Sequence, residues 1–114
     1  MRELETLQAE DHGEVVVESG LSYTAGEPVR IRIRKRGHRY DLDDDGDAVR
    51  LAGEPDGWLD VAERLVAVHG MNINRRGVVF VPVVEGRDLE AMVLSLADTA
   101  LSVYTALLET DDDL

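Results

Sequence analysis

The aspartates between residues 41 and 47 are the first residues whose types and spacing could do chemistry. Asp41-x-Asp43-x-Asp45-Gly46 repeats positions one, three, five and six of a calcium loop. In such a loop, carboxylates at alternate positions converge on one hard cation. The rest of the loop departs from that pattern. Its twelfth position, which should supply a bidentate glutamate, is Ala52, and its eighth is Ala48. A strand rather than a helix is expected before it. The expectation is therefore no metal site, with Asp41, Asp43 and Asp45 as the only candidate ligands. The plainer reading pairs Asp41 and Asp43 with a neighbouring arginine strand and makes Asp44-Asp45-Gly46 a turn.

That arginine strand is the second feature. Arg30, Arg32, Arg34, Lys35, Arg36 and Arg39 place half of the twelve basic residues within ten positions. With Tyr40 beside them they could contact phosphates. Five aspartates between 41 and 47 stand against this. The same arginines could grip an acidic protein segment, or form a solvent face of cross-strand ion pairs, each worth little. The three histidines, His12, His38 and His69, form no pair at i,i+4 spacing. No Gly-x-Ser-x-Gly elbow and no phosphate-binding glycine loop occurs. Trp58 follows a Pro-Asp-Gly turn and reads as a core anchor or an interface contact. The chemistry expected is binding rather than catalysis, without a cofactor. Arg30, Arg32, Arg34 and Trp58 are the expected partner-binding residues.

These residues need a scaffold, and periodicity supplies one. Residues 2–10 read as a short helix, with Leu4 and Leu7 on one side. Glu14 to Glu18 reads as a strand and Ser19 to Pro28 as a loop rich in turn formers. Val29, Ile31 and Ile33 alternate with Arg30, Arg32 and Arg34, a strong strand signal. A two-residue turn at Arg36-Gly37 would set Ile33 opposite Tyr40, Ile31 opposite Leu42, Arg32 opposite Asp41 and Arg30 opposite Asp43. Asp47 to Leu51 could form one helical turn. Asp56 is an expected N-cap for a helix from Trp58 to His69, stopped by Gly70. Met71 to Asn74 and Gly77 to Val84 read as two strands joined through Arg75-Arg76. The second is apolar on both faces, which predicts cover on both sides, and Pro82 predicts an edge or a bulge.

The last helix runs from about Asp88 to Glu109, with Asp98 as the one charge between Ala91 and Leu108. One stripe is Leu89, Met92 or Val93, Leu96, Ala100, Val103 and Leu107. A second is Leu94, Ala97, Leu101, Tyr104 and Leu108. A helix apolar nearly all round needs cover nearly all round, and a second subunit is the simplest cover for a chain this small. Leu94, Leu101, Tyr104 and Leu108 are the expected dimer interface.

The 114 residues fit a single domain, expected over 1–110, with an acidic tail at 111–114. The absence of cysteine excludes disulfides and thiolate chemistry and suits a reducing interior. The first residues suggest no signal peptide, and no run reaches the ~18 apolar residues of a membrane span, so a cytoplasmic protein is expected. A net charge of −12 repels nucleic acid and anionic membranes at long range. Of the twelve basic residues only Lys35 is lysine, a bias that fits a high-GC or salt-adapted genome.

The elements together predict an α+β fold with a five-stranded, mainly antiparallel sheet. Their order is helix, three strands, helix, two strands, long helix. That order, the acidity, and the passage from Phe80-Val81-Pro82-Val83-Val84 to Leu89 resemble the type III secretion chaperones and their YbjN-like relatives. Residues 28–80 also resemble an uncharacterised prokaryotic and phage domain family. There the matching features are Val29–Ile33, Tyr40, Asp44-Asp45-Gly46, Val49–Leu51 and Leu59–Val68. The first resemblance implies a dimeric domain that binds protein segments without chemistry; the second implies no activity. The expected function is a non-enzymatic, chaperone-like or regulatory protein-binding module acting as a homodimer, its partners itself and a protein segment. The alternative is a nucleic-acid-binding or anti-defence protein that uses Arg30 to Arg39.

Overall fold

Alternation in the arginine strand sets the architecture. Val29, Ile31 and Ile33 are fully buried on one face, and Arg30, Arg32 and Arg34 project from the other. A computed structural model describes the backbone of residues 12–112 and the side chains of 13–109. The helix expected over 2–10 lies outside these residues. The elements are β1 (His12–Thr24), β2 (Glu27–Arg36), β3 (Arg39–Asp43), α1 (Asp47–Leu51), α2 (Trp58–Val68), β4 (Asn72–Ile73), β5 (Val79–Glu85), a 3-10 turn (Gly86–Asp88) and α3 (Leu89–Asp112). The strands form one antiparallel sheet in the order β1-β2-β3-β5-β4. This is the expected α+β fold, with the expected order of elements from the first strand onward.

α3 lies across the buried face. Leu89, Val93, Leu96, Ala97, Ala100, Val103 and Leu107 are each at most 1% exposed, a stripe at helical spacing that meets Val29, Ile31, Ile33 and Leu42 in one core. α2 packs beside α3 and contributes Ala62 and Val66. Contrary to the expectation that no stretch would qualify, Gly86 to Glu109 is by length and mean hydropathy, 1.6, apolar enough to cross a bilayer.

Four local expectations change. Ser19 to Pro28 is not a loop: β1 continues through a bulge to Thr24, and only Ala25-Gly26 turns. Gly20 takes φ +93°, a left-handed value natural to glycine, so the strand bends instead of ending. Past the bulge, Leu21 is half-buried and Tyr23 buried.

The β2–β3 turn falls at Gly37-His38, which slides the register by two. Ile33 faces Leu42, Arg32 faces Asp43 and Arg34 faces Asp41. A shift of two leaves every side chain on its predicted face and changes only its partner.

α2 begins after Gly57, at φ +78°, with no side-chain cap, so Asp56 is not its N-cap. Finally, β5 is not covered on both sides: only Val79 and Val84 are buried, while Pro82 and Val83 are exposed. They form a bulge, two residues opposite Asp41, between the Leu42–Val81 and Tyr40–Val84 pairs. Val83 takes φ +59°, an unusual value for a β-branched residue that costs about 1–2 kcal/mol.

The predicted second stripe of α3 divides. Ala97 is fully buried, and Tyr104, 9% exposed, meets Tyr23 edge-on with ring centroids 5.1 Å apart. Tyr104 thus packs into the core of the single chain. Burial, followed by the charges of Asp44 and Asp47, holds the Tyr23 phenol far above its ordinary pKa. Leu94 and Leu108 are exposed, at 52% and 38%, and Leu101 is partly buried against the core.

Candidate functional site

The open face of the sheet collects the charged residues singled out by the sequence. β1 contributes Glu14, Val16 and Glu18, β2 its arginines, and β3 Asp41 and Asp43. Arg32 sits at the centre, flanked by both neighbouring strands. Its Nε meets the two carboxylate oxygens of Asp43 at 3.0 and 3.1 Å. Glu14 lies 3.5 Å away, and Asp45 lies 3.4 Å from Nη1. Burial opposes the Arg32 charge, but the Asp43 hydrogen bond and the charges of Asp43, Asp45 and Glu14 outweigh it and raise the pKa. Arg34 pairs with Glu14 at 2.9 Å, Arg36 with Asp41 at 2.9 Å, and Arg30 more loosely with Glu18 at 3.9 Å. Tyr40 is absent from this face. It is buried in the core, its phenol pKa raised by that burial, and Lys35 lies 5.9 Å from its ring centroid.

The candidate cation ligands do not converge. Asp41 takes Arg36 and the backbone N–H of Val83; Asp43 takes Arg32 and the N–H of Asp45; Asp45 leans toward Arg32. Among the described residues no three His, Asp or Glu side chains gather as a ligand set.

Asp44, which the alternate-position pattern skips, has the most specific geometry. It is fully buried, and its Oδ1 accepts from the N–H of Gly46 and of Val79, both at 2.9 Å. Its Oδ2 accepts from Ala48 at 3.2 Å, and its own N–H donates to the Val79 carbonyl at 3.0 Å. Backbone and side chain together continue the β3–β5 ladder one step further. Burial lifts the Asp44 pKa to about 6, more than the three hydrogen bonds lower it.

Asp44 thereby fixes two walls around the arginines. One wall is the passage from Asp45 through α1. The other is the β4–β5 turn, which Asn74 shapes by accepting from the N–H of Arg76 and of Val78 at 2.9 and 3.1 Å. The walls touch where Gly77 meets Val49: a methyl group added at Gly77 would lie 3.1 Å from the Val49 Cβ, on a backbone at φ +82°. Gly77→Ala is accordingly expected to destabilise the fold by about 1–3 kcal/mol. A thermal melt checks this, and an unchanged midpoint would mean that Val49 gives way freely.

Three shallow depressions of roughly 240, 400 and 510 Å³ open on this face, and all three border Arg32. The largest is edged by four arginines, Arg32, Arg34, Arg50 and Arg76, against two carboxylates, Asp45 and Glu54. The second joins Arg32, Arg34 and Arg76 to an apolar side made of Val78, Phe80 and Pro82. The first takes in Val16 and Arg30. Arg50 and Arg76 were not expected here. Arg50 sits on α1, which follows β3 directly, and Arg76 on the β4–β5 turn, which the pairing of β5 with β3 brings to this face.

Trp58 lies elsewhere. It is half-buried against the core in α2, on the helical side of the sheet, and no described depression combines it with the arginine strand. A separate shallow apolar patch on α2 is lined by Val61, Arg64, Leu65 and Val68. No family model, no curated protein and no solved structure matches the chain.

Proposed function

We propose that the chain is a non-enzymatic protein-binding module, chaperone-like or regulatory, that acts as a homodimer and holds a partner segment on the arginine-lined face of its sheet. The meeting of three depressions at Arg32 carries this reading. Their walls come from separate elements, and they expose both charge and apolar surface, as a peptide groove does. The carboxylates on the face are held by the protein's own donors, which suits a fixed recognition surface better than proton transfer. Self-association is assigned to the exposed leucines of α3.

The test is a selection of displayed random peptides on the wild-type protein, followed by affinity measurements on an Arg34→Glu/Arg76→Glu variant. Selected peptides should lose at least about tenfold in affinity, some 1.4 kcal/mol. Equal affinity for both proteins would place the binding elsewhere and end this reading.

A further inference from the structure

We infer that the depression between Arg34, Arg76 and Pro82 selects an acidic, extended protein segment carrying an apolar side chain. This rests on the sheet face being a protein-binding surface and names what that surface recognises.

Charge is the first argument. Asp41 and Asp43, the carboxylates bordering this depression, are engaged by Arg36, the Val83 N–H and Arg32. Arg34 meets Glu14 through Nε. The Arg76 guanidinium has no carboxylate within salt-bridge distance among the described residues. Arginine in this state offers a planar fork matched to an incoming carboxylate. A chain of net charge −12 repels that carboxylate at a distance, so selection must act at contact.

The bulge is the second argument. Pro82 lines the depression beside Val78 and Phe80, and Val83 next to it is 66% exposed. Val83 holds a strained left-handed backbone while burying little of its side chain, so one subunit gains no packing in return. An apolar contact from a partner would supply that return.

The carboxylates interleaved with the arginines decide between partner classes. A nucleic acid carries a phosphate at every step and would meet Asp41, Asp43 and Asp45 as well as the arginines. A peptide in extended form can alternate acidic and apolar side chains and avoid them.

Short labelled peptides followed by fluorescence anisotropy at low salt provide the test. A peptide alternating aspartate with leucine should bind at least about tenfold more tightly than one alternating aspartate with serine, or lysine with leucine, and more tightly than an oligothymidine. Arg76→Glu should weaken it about tenfold. Val83→Gly should preserve or raise the melting temperature yet weaken binding about threefold or more. Failure of the aspartate–leucine peptide to bind, or equal binding of the serine peptide, lysine peptide or oligothymidine, overturns the inference. So does a Val83→Gly variant that aggregates with unchanged affinity, because the bulge would then only guard the β5 edge beyond β4. If displayed peptides of other chemistry are lost in Arg34→Glu/Arg76→Glu, the face still binds protein and only its acidic preference falls. If they are retained, both readings fall.

Discussion

Asp44→Ala is expected to destabilise the domain strongly. The carboxylate satisfies three buried N–H groups, those of Gly46, Ala48 and Val79. Each one orphaned costs about 1–3 kcal/mol, so a loss of at least about 3 kcal/mol follows. That is a large part of the 5–15 kcal/mol typical of a domain, and it should lower the melting temperature by at least ~12 °C. Denaturant and thermal unfolding measure it. Asp44→Asn keeps an acceptor for Gly46 and Val79 but turns an NH2 toward Ala48, so a smaller loss is expected.

The pH dependence has a definite sign. The folded pKa of Asp44 is about 6, raised by burial from 3.8. The folded state therefore holds the proton more tightly than the unfolded chain. The stabilisation this gives is complete below pH about 4 and is lost as pH rises through 6, by up to ~3 kcal/mol. Asparagine does not titrate, so the wild type's advantage over Asp44→Asn should shrink across that window. A difference that stays flat from pH 4 to 7 would mean that the three donors hold the carboxylate near its ordinary range.

Leu101→Asp is the second large effect, this time on assembly. Leu94, Leu101 and Leu108 recur every seven residues along α3, and the exposed Ala91, Asp98 and Thr105 each stand three residues before one of them. A seven-residue repeat is the seam of two helices packed side by side. Parallel pairing would set Asp98 against its own copy. Antiparallel pairing centred on Leu101 sets Leu94 against Leu108 and Asp98 beside Thr105, and is the arrangement expected. Aspartate at position 101 then puts two carboxylates on the symmetry axis, and the dimer should weaken at least about a hundredfold. Leu101 also packs partly against the core, so circular dichroism is the control that the variant still folds. Sedimentation of both proteins at tens of micromolar gives the answer. A monomeric wild type, or a Leu101→Asp variant as dimeric as the wild type, would remove α3 from the interface.

The parts of the fold that could be read from the sequence are those fixed by local alternation or helical spacing. Val29 to Arg34 declares both faces of β2, and Leu89 to Leu107 declares the buried side of α3. Pro82 announced an edge or a bulge because it lacks a donor, and the structure has the bulge. Positive-φ glycines misled in two places. Gly20 bends β1 without ending it, and Gly37 takes its turn with His38 rather than with Arg36. The site was half legible. The arginine strand and its aspartates were visible as a pattern, but their true partners depend on Glu14 and Glu18 from β1. Asp44 was hidden because nothing local marks a carboxylate that completes a ladder to a residue 35 positions away. The burial of Tyr104 was not legible because its cover, Tyr23, sits in what reads as a loop.

The strand order has a consequence for how the molecule comes apart. β1, β2 and β3 follow one another through short turns, whereas β5 must close a loop of more than thirty residues to reach β3. Long closures form late in folding because the chain entropy is lost before the contacts repay it. Asp44→Asn should consequently speed unfolding and leave the folding rate nearly unchanged. Stopped-flow kinetics would separate the two rates. The arginine face acquires its second wall only when β5 docks. On the proposed reading, a molecule caught opening would release its partner while the three-strand meander is still intact.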